Sequence, residues 1–244
     1  MMDFTLEKYS ALLDALRGYG FHTLVLRHDV DLRPENSLRT ARLEAEKGMF
    51  GIYYFRAVPE SWDEVIIREI AALGHEVGYH YESLTTCDGN IDKAYEDFCK
   101  NLEALRKLVP VKSICMHGSP RSPYDSKDIW KKYDYKALGI ESEPYLDTDF
   151  SKVFYLTDTG RRWDGYRVSV RDKIPQYQDE WTARGLTFHS TDDVIRGLQG
   201  GVIPKDLMMT VHPQRWSPFG FTWCKELALQ NVKNIVKRLI IKNK

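Results

Sequence analysis

Apolar and polar positions alternate along the chain with two periods. Residues 4–17 place Phe4, Tyr9, Leu12, Leu13 and Leu16 at helical spacing, with Gly18 as a stop. Residues 23–26 then read as a buried strand running into Arg27-His28-Asp29. Pro34 suits the first turn of a helix closing at Gly48, and 50–55 returns to strand. Ser61 and Glu64 fit a capping box for a helix ending at Leu73-Gly74, before a strand over 75–80. Asn90 caps a long helix with the stripe Ile91, Tyr95, Phe98, Leu102 and Leu105, and 113–116 is a strand ending at His117. From about 118 to 185 the pattern is irregular and rich in Pro, Tyr, Trp and Asp, with short strands expected at 153–157 and 167–170. Order returns with a strand over 186–188, a Ser190-capped helix to Leu198, a strand over 207–211 and a last helix over about 222–240. Its end, through Lys244, reads as a solvated basic tail.

There are no repeats, low-complexity tracts or linker-like boundaries, so 1–244 is expected to be a single domain. Repeated β–α order implies a parallel sheet, either a closed barrel or an open doubly wound sheet. Neither G-x-G-x-x-G nor a phosphate-cradling Gly-Lys-Ser/Thr loop occurs, which weakens a nucleotide-binding reading. The fold expected is α/β, a TIM-like barrel of roughly seven or eight strands with an irregular insertion.

Charge narrows the partners. Lys plus Arg and Asp plus Glu each number 35, so nucleic acid or an anionic membrane is not expected as the main partner, although local patches are compatible with this balance. The first residues lack a basic start and an apolar run, and no stretch is long enough to span a bilayer. Cys87, Cys99, Cys115 and Cys224 are scattered without a C-x-x-C pair, which suits reduced, mostly buried thiols. A cytoplasmic protein is expected.

The seven histidines carry the chemistry. His22 and His75 begin strands, whereas His28, His80, His117, His189 and His212 lie at or just past strand C-termini, the face that holds the active site of β/α barrels. Asp29 and Asp31 are two apart, so on an extended backbone both face one way. Such close carboxylates repel unless a cation lies between them or one is protonated. That suits one on a metal and the other free as a general base. The competing reading is an Asp pair capping the helix at Pro34. In Gly74-His75-Glu76-Val77-Gly78-Tyr79-His80-Tyr81-Glu82, His80 and Glu82 share a strand face, and the glycines permit close backbone approach. Met116-His117-Gly118-Ser119-Pro120 and Thr210-Val211-His212-Pro213-Gln214-Arg215-Trp216 are the other two segments.

Together the four segments resemble the polysaccharide deacetylase superfamily, and most of all its leaderless members associated with bacterial surface-polysaccharide biosynthesis. The resemblance runs from about Val25 to Trp216, with the motifs in family order. It implies a distorted (β/α)7 barrel that hydrolyses an N-acetyl or related acyl group of an acetamido sugar, free or nucleotide- or lipid-linked. Asp29 matches the catalytic base, Asp31 the metal-binding aspartate, His80 the first metal histidine and His212 the general acid. His117 falls where the family usually has an arginine that orients the base. One position departs: the second metal histidine is replaced by Leu84. Glu82 is the favoured replacement ligand and His117 the alternative, around a divalent ion expected to be Zn²⁺. Asp29 or Gln214 is expected to orient His212. Trp163, Trp216 and Phe219 are candidates to stack on a sugar ring, and Arg161, Arg162 and Arg215 to hold a phosphate. A silent sugar-binding barrel without metal and a cyclic-amide hydrolase are the rival readings.

Overall fold

The computed structural model describes residues 2–119, 122–163 and 172–242. Among them six strands form one parallel sheet: β1 (Thr23–Val30), β2 (Ile52–Phe55), β3 (Glu76–Tyr81), β4 (Ile114–Met116), β5 (Phe154–Thr157) and β6 (Asp206–Val211). The spatial order is β4-β3-β2-β1-β6-β5, curled as a half-barrel. The helices are α1 (Leu6–Gly18), α2 (Pro34–Glu46), α3 (Glu64–Ala72), α4 (Ser83–Thr86), α5 (Ile91–Arg106), α6 (Pro144–Asp147), α7 (Pro175–Ala183), α8 (Thr191–Gln199) and α9 (Phe221–Lys242).

Local chemistry accounts for most boundaries. The α1 stripe Tyr9, Leu12, Leu13 and Leu16 is buried as its spacing requires, and the Thr5 side chain accepts from the Lys8 N–H. Ser190 and Asp193 make a reciprocal capping box on α8. The cap of α3 is not Ser61 but Asp63, which accepts from the Val65 and Ile66 N–H groups. Ser61 is buried instead and ties the end of β1 to β2, donating to the Val30 carbonyl and accepting from the Arg56 N–H. The α2 N-cap is Arg33 in a left-handed conformation, with no side-chain cap, so the Asp29/Asp31 pair does not cap that helix. Residues 186–188 are irregular, not a strand, although Leu186 and Phe188 enter the core. The α7 helix falls in the stretch read as irregular, and the strand expected at 167–170 lies outside the described residues.

Six strands, not seven or eight, are thus described, and beyond β4 the ladder dwindles to a single parallel bridge, Ser113 to Ser142. Between that bridge and β5, side chains span the gap. The Tyr145 and Tyr155 rings lie 6.5 Å apart, and both hydroxyls donate to Asp172. Two glycines make room inside the sheet. A Cβ on Gly78 would lie 2.4 Å from the Tyr54 ring, and one on Gly51 2.9 Å from the His28 ring. Larger residues at either position would displace an aromatic ring packed beside the residues described next.

Candidate metal centre

Strand alternation sorts β1 into two faces. Arg27 and Asp29 point to one side, His28 to the other. Arg27, 1% exposed, forks Asp29 with Nε 2.8 Å from Oδ1 and an Nη 2.6 Å from Oδ2. The same guanidinium donates to the Tyr145 hydroxyl at 3.2 Å, and Tyr145 in turn donates to Asp172 at 3.0 Å. A buried bidentate pair of this kind fixes the carboxylate's plane as well as its charge. The residue that orients Asp29 is therefore Arg27, two positions upstream, and not the residue at His117.

Asp31 follows just past the strand. Its Oδ2 accepts from Gln214 Nε2 at 3.0 Å, while Oδ1 is buried with no hydrogen-bond partner. Two imidazoles face that oxygen: His80 Nε2 at 3.7 Å and His117 Nε2 at 3.4 Å. The β3–β4 register sets His80 against Cys115, which leaves His117 one residue past the end of the adjacent strand. The outer ring nitrogens decide the tautomers. His80 Nδ1 lies 2.8 Å from the Cys115 carbonyl, which only accepts, so Nδ1 carries the hydrogen. His117 Nδ1 lies 2.9 Å from Glu82 Oε2. Burial would raise the Glu82 pKa, but His117 and Arg56 hold it well below the usual carboxylate range, so Glu82 is ionised and accepts as well. Burial also pushes the His80 pKa down to about 4, keeping that ring neutral. The Asp31 oxygen, which accepts no hydrogen bond, and the two imidazole Nε2 atoms thus converge on one point, where a cation would satisfy all three.

This donor set fits a divalent ion. One carboxylate and two imidazoles, each imidazole anchored through its other nitrogen by a carbonyl or a carboxylate, is the usual construction of a zinc or related site with open positions. Glu82 is not among the converging donors. Its Oε1 is held by Arg56 (2.9 and 2.7 Å) and its Oε2 by His117, so it supports a ligand. Leu84 is buried against Ala94 and Ile129. A second group, Asp29, His80 and Cys115, also converges. There Arg27 occupies both Asp29 oxygens, and burial pushes the Cys115 thiol pKa up, so that group is the poorer cation site.

His212, just past β6, is held from behind. Its Nδ1 lies 2.6 Å from Asp158 Oδ1, and Asp158 also accepts from the His212 N–H, from Arg215 at 2.6 Å and from the Trp216 indole at 2.8 Å. The four donors leave Asp158 one orientation. Burial and Arg215 push the His212 pKa down, yet Asp158 and Asp31 outweigh them and the net shift is upward. A histidine so placed stays protonated to higher pH than a free imidazole. Its charge acts on Asp31, so the two belong to one electrostatic unit.

The structure therefore brings together Asp29, Asp31, His80, Glu82, His117 and His212, and it removes others. His28 lies on the opposite sheet face, stacked on Tyr53 with ring centroids 4.0 Å apart and 2.9 Å from Glu44. His189 stands beside Arg162 at the start of α8. Trp163 and Trp216 are buried against Phe4 and present no face to a ligand, whereas Phe219 is exposed. Arg161 pairs with Glu226, and Arg215 is committed to Asp158, which takes the orienting part given to Asp29 or Gln214. Of the four thiols Cys115 is buried and Cys224 exposed, with Cys87 and Cys99 between. Asp158 had a legible signal, a carboxylate one residue beyond an expected strand. So had Arg27, which shares the Asp29 face.

A comparison with protein-family models and with curated proteins gives no match for this chain.

Proposed function

We propose that the protein is a metal-dependent hydrolase that removes an N-acetyl or related acyl group from an acetamido sugar, nucleotide- or lipid-linked, in cytoplasmic steps of surface-polysaccharide biosynthesis. The observation that carries this reading is the meeting of Asp31 Oδ1, His80 Nε2 and His117 Nε2, beside a carboxylate forked by Arg27 and a histidine backed by Asp158. The arrangement resembles that of polysaccharide deacetylases, with His117 standing in for the ligand absent at Leu84. A distorted (β/α)7 barrel would take its seventh strand from the segment around Ser142, which bridges to Ser113 just before β4.

Asp31, His80 and His117 would hold the ion, expected to be Zn²⁺, which supplies Lewis acidity to the acyl carbonyl. Asp29 takes a proton from the water that attacks the carbonyl carbon, and Arg27 keeps its carboxylate aimed. His212 gives its proton to the amide nitrogen as the C–N bond breaks, leaving a free sugar amine and a carboxylate product. Asp158 holds the His212 ring so that Nε2 bears that proton. Gln214 fixes Asp31 through Oδ2.

The test joins composition to chemistry. Protein purified without chelator should contain about one divalent ion per chain and release acetate from an acetamido nucleotide sugar or a lipid-linked acetamido sugar. Metal without acetate release across both carrier classes would overturn the substrate assignment. Absence of metal would overturn the reading as a whole.

A further inference from the structure

Over residues 221–235, helix α9 turns several polar side chains inward and apolar ones outward. Surface helices ordinarily bury an apolar stripe and show a polar one. Here the inward stripe sets polar residues beside the buried Trp223: Glu226 pairs with Arg161, Gln230 donates to Asn234 at 2.7 Å, and Asn234 donates to the Gly160 carbonyl at 2.8 Å. Gln230 and Asn234 are 6% and 7% exposed. On the other side Phe221, Leu229, Val232 and Ile235 are 84%, 49%, 60% and 60% exposed. At 100° per residue Phe221, Val232 and Ile235 fall within one narrow sector, with Leu229 at its margin. An apolar face of this kind on a folded chain marks a surface that meets something apolar.

Charge says what. From Phe221 onward the sequence holds six basic residues, Lys225, Lys233, Lys237, Arg238, Lys242 and Lys244, against one acid, Glu226, which is already paired. The whole chain is neutral, so the excess of positive charge is local and the rest of the molecule is net negative. Lys225 and Lys233 are exposed beside the apolar sector. Pairing with a second copy through this face would gather the lysines of both copies around one interface, and no described helix is long and apolar enough to cross a membrane. An exposed apolar stripe flanked by lysines suits the interface of an anionic bilayer, where hydrocarbon receives the stripe and headgroups the charges. We infer that α9 is an amphipathic segment that docks the protein on an anionic lipid surface. This inference is independent of the metal centre.

The measurement is co-sedimentation of the full chain with phosphatidylcholine vesicles, with and without phosphatidylglycerol. Binding is expected only where phosphatidylglycerol is present, and it should weaken as salt rises. The double variant Val232→Glu/Ile235→Glu should bind at least about tenfold more weakly. Its thermal unfolding should match wild type, because both side chains are exposed. Lys225→Glu/Lys233→Glu should weaken binding to phosphatidylglycerol vesicles in the same way. No binding to either vesicle, or binding that neither variant changes, would overturn the inference. So would light scattering that shows a wild-type dimer made monomeric by Val232→Glu/Ile235→Glu, since the face would then be covered by a second copy.

Discussion

Two clusters with the same inventory lie on opposite faces of one sheet. Asp31, His80 and His117 meet at the strand ends, whereas Glu44, His28 and His75 meet between the sheet and α2. Each is one carboxylate with two imidazoles. In the second cluster the carboxylate and one imidazole are occupied, whereas His28 approaches Glu44 at 2.9 Å through Nε2 and its Nδ1 has no partner among the described residues. Tyr9 donates to Glu44 Oε1 and Tyr53 to Oε2, His75 Nδ1 accepts from the Gly51 N–H at 3.1 Å, and His75 Nε2 meets the Ala41 carbonyl at 2.9 Å. In the first, an Asp31 oxygen and two imidazole nitrogens face one another unmet. What separates the two clusters is whether candidate ligand atoms converge: those of Asp31, His80 and His117 do, and those of Glu44, His28 and His75 do not, so the count of histidines does not decide.

The comparison breaks most sharply at Glu44. Glu44→Gln keeps the volume but removes the buried carboxylate that accepts from Tyr9 and Tyr53 and faces His28, and it should cost roughly 3 kcal/mol, read by chemical denaturation. Metal bound per folded molecule should not change. Asp29→Asn tests the other face: turnover should fall by about a hundredfold or more with metal content per folded molecule unaltered, as for loss of a general base, while loss of the buried pair with Arg27 lowers stability as well. A mutant with wild-type turnover would remove Asp29 from the chemistry. Glu82→Gln should weaken metal affinity by about 10- to 100-fold, because it loosens His117 without deleting a ligand. No change in a competition titration would make Glu82 a mere partner of Arg56.

Acid and base should separate the clusters more gently. The Glu44 pKa is depressed: burial would raise it, but His28, Tyr9 and His75 outweigh burial. Its contribution to stability is therefore present above the ordinary glutamate value and lost as pH falls through the lower folded value. The His212 pKa is raised, so its acid form persists above the ordinary histidine value and amide turnover should fall only as pH climbs through the higher folded one. Asp158→Asn should move that alkaline limb to lower pH. A limb that stays put would show that Asp158 does not set the acid.

Much of this was legible in the sequence. The alternation of strand and helix gave the parallel sheet, and the i, i+2 spacing of Asp29 and Asp31 placed two carboxylates on one side. What the sequence could not show is which strands are neighbours. His117 and His80 are 37 positions apart and meet only because β4 lies beside β3, so Glu82, closer in sequence, was the favoured ligand. His28 was misplaced for a related reason: β1 runs unbroken to Val30, so its side chain faces Glu44 while Asp29 faces the site. The Glu44 cluster had a signal, polar Ser37, Thr40 and Glu44 along the buried stripe of α2. Trp163 and Trp216, expected to be open to a sugar, are instead packed on Phe4 because the chain before α1 folds beneath them.

The most direct test is a zinc titration of chelator-stripped protein, with wild type, His117→Ala and Glu44→Gln compared. One ion per chain in wild type and Glu44→Gln, with binding lost or greatly weakened in His117→Ala, is the expected result. Undiminished binding in His117→Ala, or loss confined to Glu44→Gln, would contradict a centre built from Asp31, His80 and His117.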